Sequence, residues 1–161
     1  MDYLWTPWRY HYITTAAKTD RCVFCDALAA GDDAEMFIVL RAIKNFILLN
    51  RFPYTSGHVM IVPYQHVADL SSCDSATLSE MMELARRVQA ALAAEYHPDG
   101  YNLGMNLGRS AGAGVDNHLH LHVLPRWSGD TNFMSVVAET RIEPEELSVT
   151  YEKLRRALGA S

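Results

Sequence analysis

At 161 residues the chain is long enough for one hydrophobic core without disulfide staples, and its 49% apolar and 20% charged composition is that of a globular protein. With 14 basic against 19 acidic residues, a formal net charge of −5, it offers no basic surface for extended nucleic-acid binding, which leaves room only for a local nucleotide pocket. No apolar run approaches the roughly 18 residues of a membrane span, and the start MDYLWTPWRYHYI lacks the charged-then-apolar layout of a secretory leader, so no membrane partner and a cytoplasmic location are expected.

Residues 1–20 carry Trp5, Trp8, Tyr10 and Tyr12 without a clear period and read as an aromatic arm that packs on another surface. FCDALAA at 24–30 predicts a short helix closed by Gly31. Strands are predicted at Glu35–Leu40, Ala42–Leu49 and His58–Val62, with Arg51-Phe52-Pro53 and Ser56-Gly57 as turns. The clearest helix is Ser75–Tyr96, in which Leu78, Met81, Met82, Ala85, Val88 and Leu92 step at three and four; Ser75 or Thr77 is expected to cap it and Pro98-Asp99-Gly100 to end it. Strands at Tyr101–Asn106 and His118–Pro125 flank a glycine-rich loop, Gly108 to Gly114. A final helix over Pro144–Leu158 has an acidic first turn and ends in Arg155 and Arg156, which complements its dipole. The fold class is α+β: about five mostly antiparallel strands in one sheet, helices on one face, one long helix and a C-terminal helix. A single domain over 21–135 is expected, preceded by the arm at 1–20 and followed by a C-terminal helical extension at 136–161.

Strand side chains alternate, so His118, His120 and His122 share one face, about 6–7 Å apart in succession, while Leu119, Leu121 and Val123 face the other way. Three histidines opposite an aliphatic face, next to a glycine loop, are unlike a solvated strand. Neighbours on one strand face point in parallel and do not converge readily on one ion. Cys22-x-x-Cys25 is read as metal-binding, redox-active or incidental; the upstream arm does not supply the strand that a thioredoxin-like redox motif needs.

His118-Leu119-His120-Leu121-His122-Val123-Leu124 resembles the signature of the histidine triad (HIT) family. The resemblance runs over roughly residues 21–127, with CVFC, FILLNRFPYTSGHVMIVPYQH, YNLGMN, the glycine loop and HLHLHVLPRW in the family's order. It implies a HIT-like fold and covalent chemistry in which His120 attacks the α-phosphorus of a nucleotide and His122 serves the departing oxygen. Neutral imidazole suits that task because its pKa lies near 6.5. The resemblance further implies a structural zinc held by Cys22, Cys25, His66 (in Pro63-Tyr64-Gln65-His66) and His118, with no organic cofactor. Cys73 lies outside that set.

For the substrate, Asn50 matches a ribose-binding position, its alternative being a turn-forming asparagine. His58 matches a further histidine near the active site, or is a hydrogen-bonded core residue. Asn106 matches a contact to the α-phosphate. The loop departs from the family: Gly112-Ala113-Gly114-Val115-Asp116-Asn117 has one extra residue and lacks the usual hydroxyl and amide side chains, so backbone N–H groups around Gly112 and Gly114 are expected to hold phosphate oxygens. Arg109 and Arg126 are candidates for outer phosphates. Trp127 is expected to stack on a base or pack at a subunit contact. The leading function is a nucleotidyl hydrolase or transferase acting on diadenosine polyphosphates, as phosphorylase or hydrolase. The alternatives are a purine nucleoside phosphoramidate hydrolase and a nucleotide-binding scaffold with little activity. A homodimer is implied by resemblance, and an open sheet edge is a liability that pairing covers.

Overall fold

The computed structural model describes residues 21–130 and 145–160; the aromatic arm, residues 131–144 and the start of the predicted final helix lie outside them. In chain order the elements are α1 (Val23–Ala30), β1 (Ile38–Arg41), β2 (Asn45–Leu49), β3 (Val59–Pro63), a 3-10 turn (Leu70–Ser72), α2 (Ser75–Tyr96), β4 (Gly100–Gly104), a second 3-10 turn (Arg109–Ala111), β5 (Leu121–Arg126) and α3 (Leu147–Ala157). The strands form one five-stranded sheet in the order β1-β2-β3-β5-β4, with every pairing antiparallel. The α+β fold expected from the sequence is the one observed.

The apolar runs NFILL and VMIVP make β2 and β3 buried along their whole length. Such continuous runs need cover on both faces of the sheet. Ile47, Leu49, Val59, Ile61, Leu121 and Val123 pack with Met81, Leu84, Val88 and Leu92 of α2 and Tyr151 and Leu154 of α3. Phe46, Leu48, Met60 and Val62 pack with Phe24 and Ala27 of α1. This corrects the expectation of helices on one face only. α1 covers the second face with two buried side chains, too few to announce that face in the sequence.

Element ends shift for local reasons. Asp74, not Ser75 or Thr77, caps α2: its carboxylate accepts the Thr77 N–H at 2.8 Å and the Thr77 hydroxyl at 3.0 Å. His97, in the left-handed region at φ 47°, closes the helix before Pro98. β1 starts at Ile38 because Asp32 accepts the N–H groups of Ala34 and Glu35 and holds a turn there. β2 starts at Asn45 because the N–H groups of Ile43 and Lys44 donate to the Glu80 carboxylate of α2. β5 starts at Leu121, not His118; just before it the Leu119 N–H donates to the Val67 carbonyl at 2.6 Å. Tyr151, Leu154 and Leu158 place the C-terminal helix in the same core as the sheet. Among the described residues no helix is long and apolar enough to cross a membrane.

One glycine fixes the approach to the site. Gly57 sits at φ +78°, and a Cβ there would lie 2.9 Å from Leu92 Cδ2 and 3.3 Å from Pro125 Cγ. Backbone strain and overpacking act together. Gly57→Ala is therefore expected to destabilise the fold by about 2–4 kcal/mol, read by urea denaturation; a loss below 1 kcal/mol, on the order of a neutral surface change, contradicts this packing.

Candidate active site and metal centre

β5 lies between β3 and β4, and His122 is across from Met60 on one side and Gly104 on the other. His118, His120 and His122 are 1%, 6% and 8% exposed, which rules out a solvated strand face. Leu119, Leu121 and Val123 alternate with them into the core under α2, as the strand period requires.

The hydrogen bonds fix where each ring carries its proton. The Tyr54 N–H donates to His58 Nδ1 at 3.1 Å, so the proton of neutral His58 is on Nε2. That Nε2 lies 2.9 Å from His122 Nδ1 and donates to it, which places the proton of His122 on its own Nε2. His120 Nδ1 is 2.8 Å from the His118 main-chain oxygen. A carbonyl only accepts, so Nδ1 of His120 holds the proton and Nε2 keeps its lone pair. Burial holds His120 below the usual histidine range, opposed by that hydrogen bond. Burial, with nearby His120 adding to it, pushes His122 down to about 4. Both rings are neutral at pH 7.

A stability test follows from His122. Its pKa in the folded chain, about 4, lies below the ordinary 6.5, so the unfolded chain binds the proton first as pH falls. This contribution is absent above pH 6.5 and opposes folding increasingly from there down to about 4. It is expected to remove about 2 kcal/mol between pH 7 and pH 5, measured as the difference in urea stability between wild type and His122→Asn at the two pH values. An equal pH dependence in both proteins contradicts the buried neutral ring.

The Cys/His cluster forms beside this strand. Cys22 Sγ is 3.1 Å from His118 Nδ1, Cys25 Sγ is 3.3 Å from His66 Nδ1 and 3.7 Å from His118 Nδ1. All four donor atoms lie within 4.8 Å of one another. Tetrahedral zinc with two thiolates and two imidazoles needs donor separations of roughly 3.4–3.8 Å, so the set fits zinc. His118 Nε2–H donates to the Pro63 carbonyl at 2.9 Å, which aims Nδ1 at the cluster in the manner of metal-bound imidazoles. Burial, then the neighbouring Cys22, raises the Cys25 thiol pKa; a divalent cation reverses that preference. Of the three triad histidines only His118 joins the group.

The remaining expected residues divide. Asn50 sits in a turn, where Oδ1 accepts the Phe52 N–H at 3.0 Å, and its Nδ2 lies 3.4 Å from His58 Nδ1 beside the histidines. Asn106 lies two residues beyond the end of β4, whose last residue is opposite His122. The Gly112 N–H donates to the Arg109 carbonyl at 2.9 Å and the Ala113 N–H to the Gly108 carbonyl at 3.4 Å, so these two amides are used inside the loop. Arg109 pairs with Asp116 across the loop and Arg126 with Asp130. Trp127 is not brought to the histidines: it follows β5 at the far end, roughly 20 Å from His120 at strand rise, and its indole N–H donates to the Tyr96 carbonyl. Two residues the sequence did not single out do reach the site. Phe24 contacts the rings of His118 and His120, and Tyr54 stacks on His122 at 6.1 Å. Neither carries a periodic or charged signal; only the position of Phe24 between the paired cysteines hints at a role.

Buried alternating histidines lead into β5 beside a Cys/His cluster, and the chain is similar to known proteins. A HIT domain model matches residues 32–129. The chain is 33% identical over 155 residues to an AP-4-A phosphorylase of Mycobacterium tuberculosis, covering 91% of this chain and 79% of that protein. A Zn-bound histidine triad family protein from Mycobacterium smegmatis superposes with a TM-score of 0.70 at 30% identity, over 86% of this chain and 93% of that one. A diadenosine triphosphate hydrolase of Plasmodium falciparum, 14% identical with a TM-score of 0.61 over 78% and 76% of the two chains, shares the fold. The chain belongs to the HIT family.

Proposed function

We propose that the chain cleaves dinucleoside polyphosphates such as diadenosine tetraphosphate through a covalent nucleotidyl intermediate on His120. The observation that carries this reading is the buried His120 ring with Nδ1 committed to a carbonyl and Nε2 left as a lone pair. The substrate class is supported by the likeness to the mycobacterial AP-4-A phosphorylase.

His120 Nε2 forms a bond to the α-phosphorus while the bond to the bridging oxygen breaks, releasing ATP from diadenosine tetraphosphate. His122 Nε2–H donates a hydrogen bond to that departing oxygen, and His58 holds its tautomer. Water then releases AMP from the intermediate, or inorganic phosphate releases ADP. Asn50 serves the ribose, Asn106 and the backbone from Gly114 the α-phosphate; Trp127 serves a subunit contact. Cys22, Cys25, His66 and His118 hold zinc, which supplies structural cross-linking with its coordination filled by protein. Among the described residues no strand pairs with the outer edge of β4, where Leu103 is exposed; this supports a homodimer, and light scattering at the mass of one chain opposes it.

The test is incubation with diadenosine tetraphosphate with and without inorganic phosphate. ADP and ATP formed only with phosphate identify a phosphorylase; AMP and ATP without it identify a hydrolase. No cleavage in either arm, with cleavage of an AMP phosphoramidate, replaces the substrate class.

A further inference from the structure

The metal cluster and the reacting histidine are joined twice. His118 gives Nδ1 to the cluster and its main-chain carbonyl to His120 Nδ1–H at 2.8 Å. Phe24, between Cys22 and Cys25 and 3% exposed, meets the His118 ring edge-on at 5.4 Å and the His120 ring at 5.1 Å. One connection sets the tautomer of His120; the other lies against its ring. Both are carried by segments whose cysteine or histidine side chains enter the cluster.

We infer that the Cys/His cluster positions His120, with His118 and Phe24 as positioning residues, so that metal occupancy and nucleotide occupancy of the triad are thermodynamically linked. The inference rests on the proposed nucleotide site at His120. α1 has eight residues and no side-chain N-cap, too short to hold its own shape in water. The two cysteines that flank Phe24 and the burial of Phe24 and Ala27 are what anchor it. Loss of the metal releases the cysteine anchor and the His118 ring together, and both supports of His120 loosen. Linkage is reciprocal: the factor by which metal tightens a nucleotide is the factor by which the nucleotide tightens the metal.

The zinc-loaded protein is tested with AMP. Calorimetry first measures AMP binding. Equilibrium competition for zinc with a chromogenic chelator, with and without saturating AMP, is then expected to show zinc held about fivefold or more tightly with AMP. In Phe24→Leu, which still binds zinc, that factor is expected to fall below about twofold. AMP binding without any change in zinc affinity overturns the inference. Absence of AMP binding overturns the nucleotide reading instead, and the coupling is then read without nucleotide. In nitrogen NMR of the imidazoles, exchange of zinc for the larger cadmium is expected to move the resonances of His118 and His120; a shift confined to His66 and His118 overturns the positioning role.

Discussion

Replacing His120 with asparagine is expected to leave a folded chain that turns over its nucleotide substrate at least about 10³-fold more slowly. The asparagine amide can still donate to the His118 carbonyl that now receives Nδ1–H, so the local hydrogen bond survives while the nucleophilic nitrogen is lost. A 10³-fold loss corresponds to about 4 kcal/mol of transition-state stabilisation. The informative comparison is kcat for wild type and variant at matched thermal stability. Turnover within about tenfold of wild type would remove His120 from the chemistry. His122→Asn has a different signature: the intermediate still forms, and the penalty grows with the basicity of the departing group, because a hydrogen bond to that oxygen is what is missing.

Stripping zinc, or making Cys22→Ser, is the second large effect. Cys22 is buried at the start of α1 and its sulfur faces His118 Nδ1. Structural zinc contributes folding free energy directly, on the order of 10 kcal/mol in small peptides. Here the sheet and α2 supply a core of their own, so the loss is smaller: a fall in melting temperature of about 10 °C or more, with zinc content dropping from one per chain to none. Cys73→Ser is the control. Cys73 is half-buried at the end of the Leu70–Ser72 turn, outside the cluster, and its replacement is expected to shift melting by no more than about 2 °C. Wild-type protein purified without zinc and unaffected by added zinc would dismiss the centre.

The sequence was most legible where one period governs a long stretch. The 22 residues of α2 are bounded by the structure where their apolar spacing places them, at Ser75 and Tyr96. The alternation from His118 to Val123 separates histidines from aliphatic side chains, and although all six are buried only Leu119, Leu121 and Val123 enter the core with α2. Strand starts were less legible because they are decided by side chains far away in sequence, as with Glu80 accepting the Ile43 and Lys44 amides. The contact of His58 with His122 spans 64 residues and follows from strand register, which no local pattern encodes. Trp127, expected to stack on a base or pack at a subunit contact, is carried away from His120 by β5, since an extended strand separates residues faster than any other element. The glycine loop is similar. Its composition announced free amides, while its 3-10 turn uses those of Gly112 and Ala113 internally.

The place of β5 in the sheet carries one more consequence. It is hydrogen-bonded to β3 along Leu121–Val123 and to β4 along His122–Arg126, whereas among the described residues β4 and β1 each have one neighbour. Amide hydrogens on a doubly flanked strand exchange with solvent only when most of the domain opens, while edge strands and loops open at lower cost. His122 thus stands on the slowest-exchanging part of the molecule, and His120 lies one residue before its start. The loops at 50–57 and 105–117, which border it, belong to the part that fluctuates cheaply. For the proposed nucleotide substrate, such a division would let a bulky anion enter and leave many times without disturbing the geometry around the histidines.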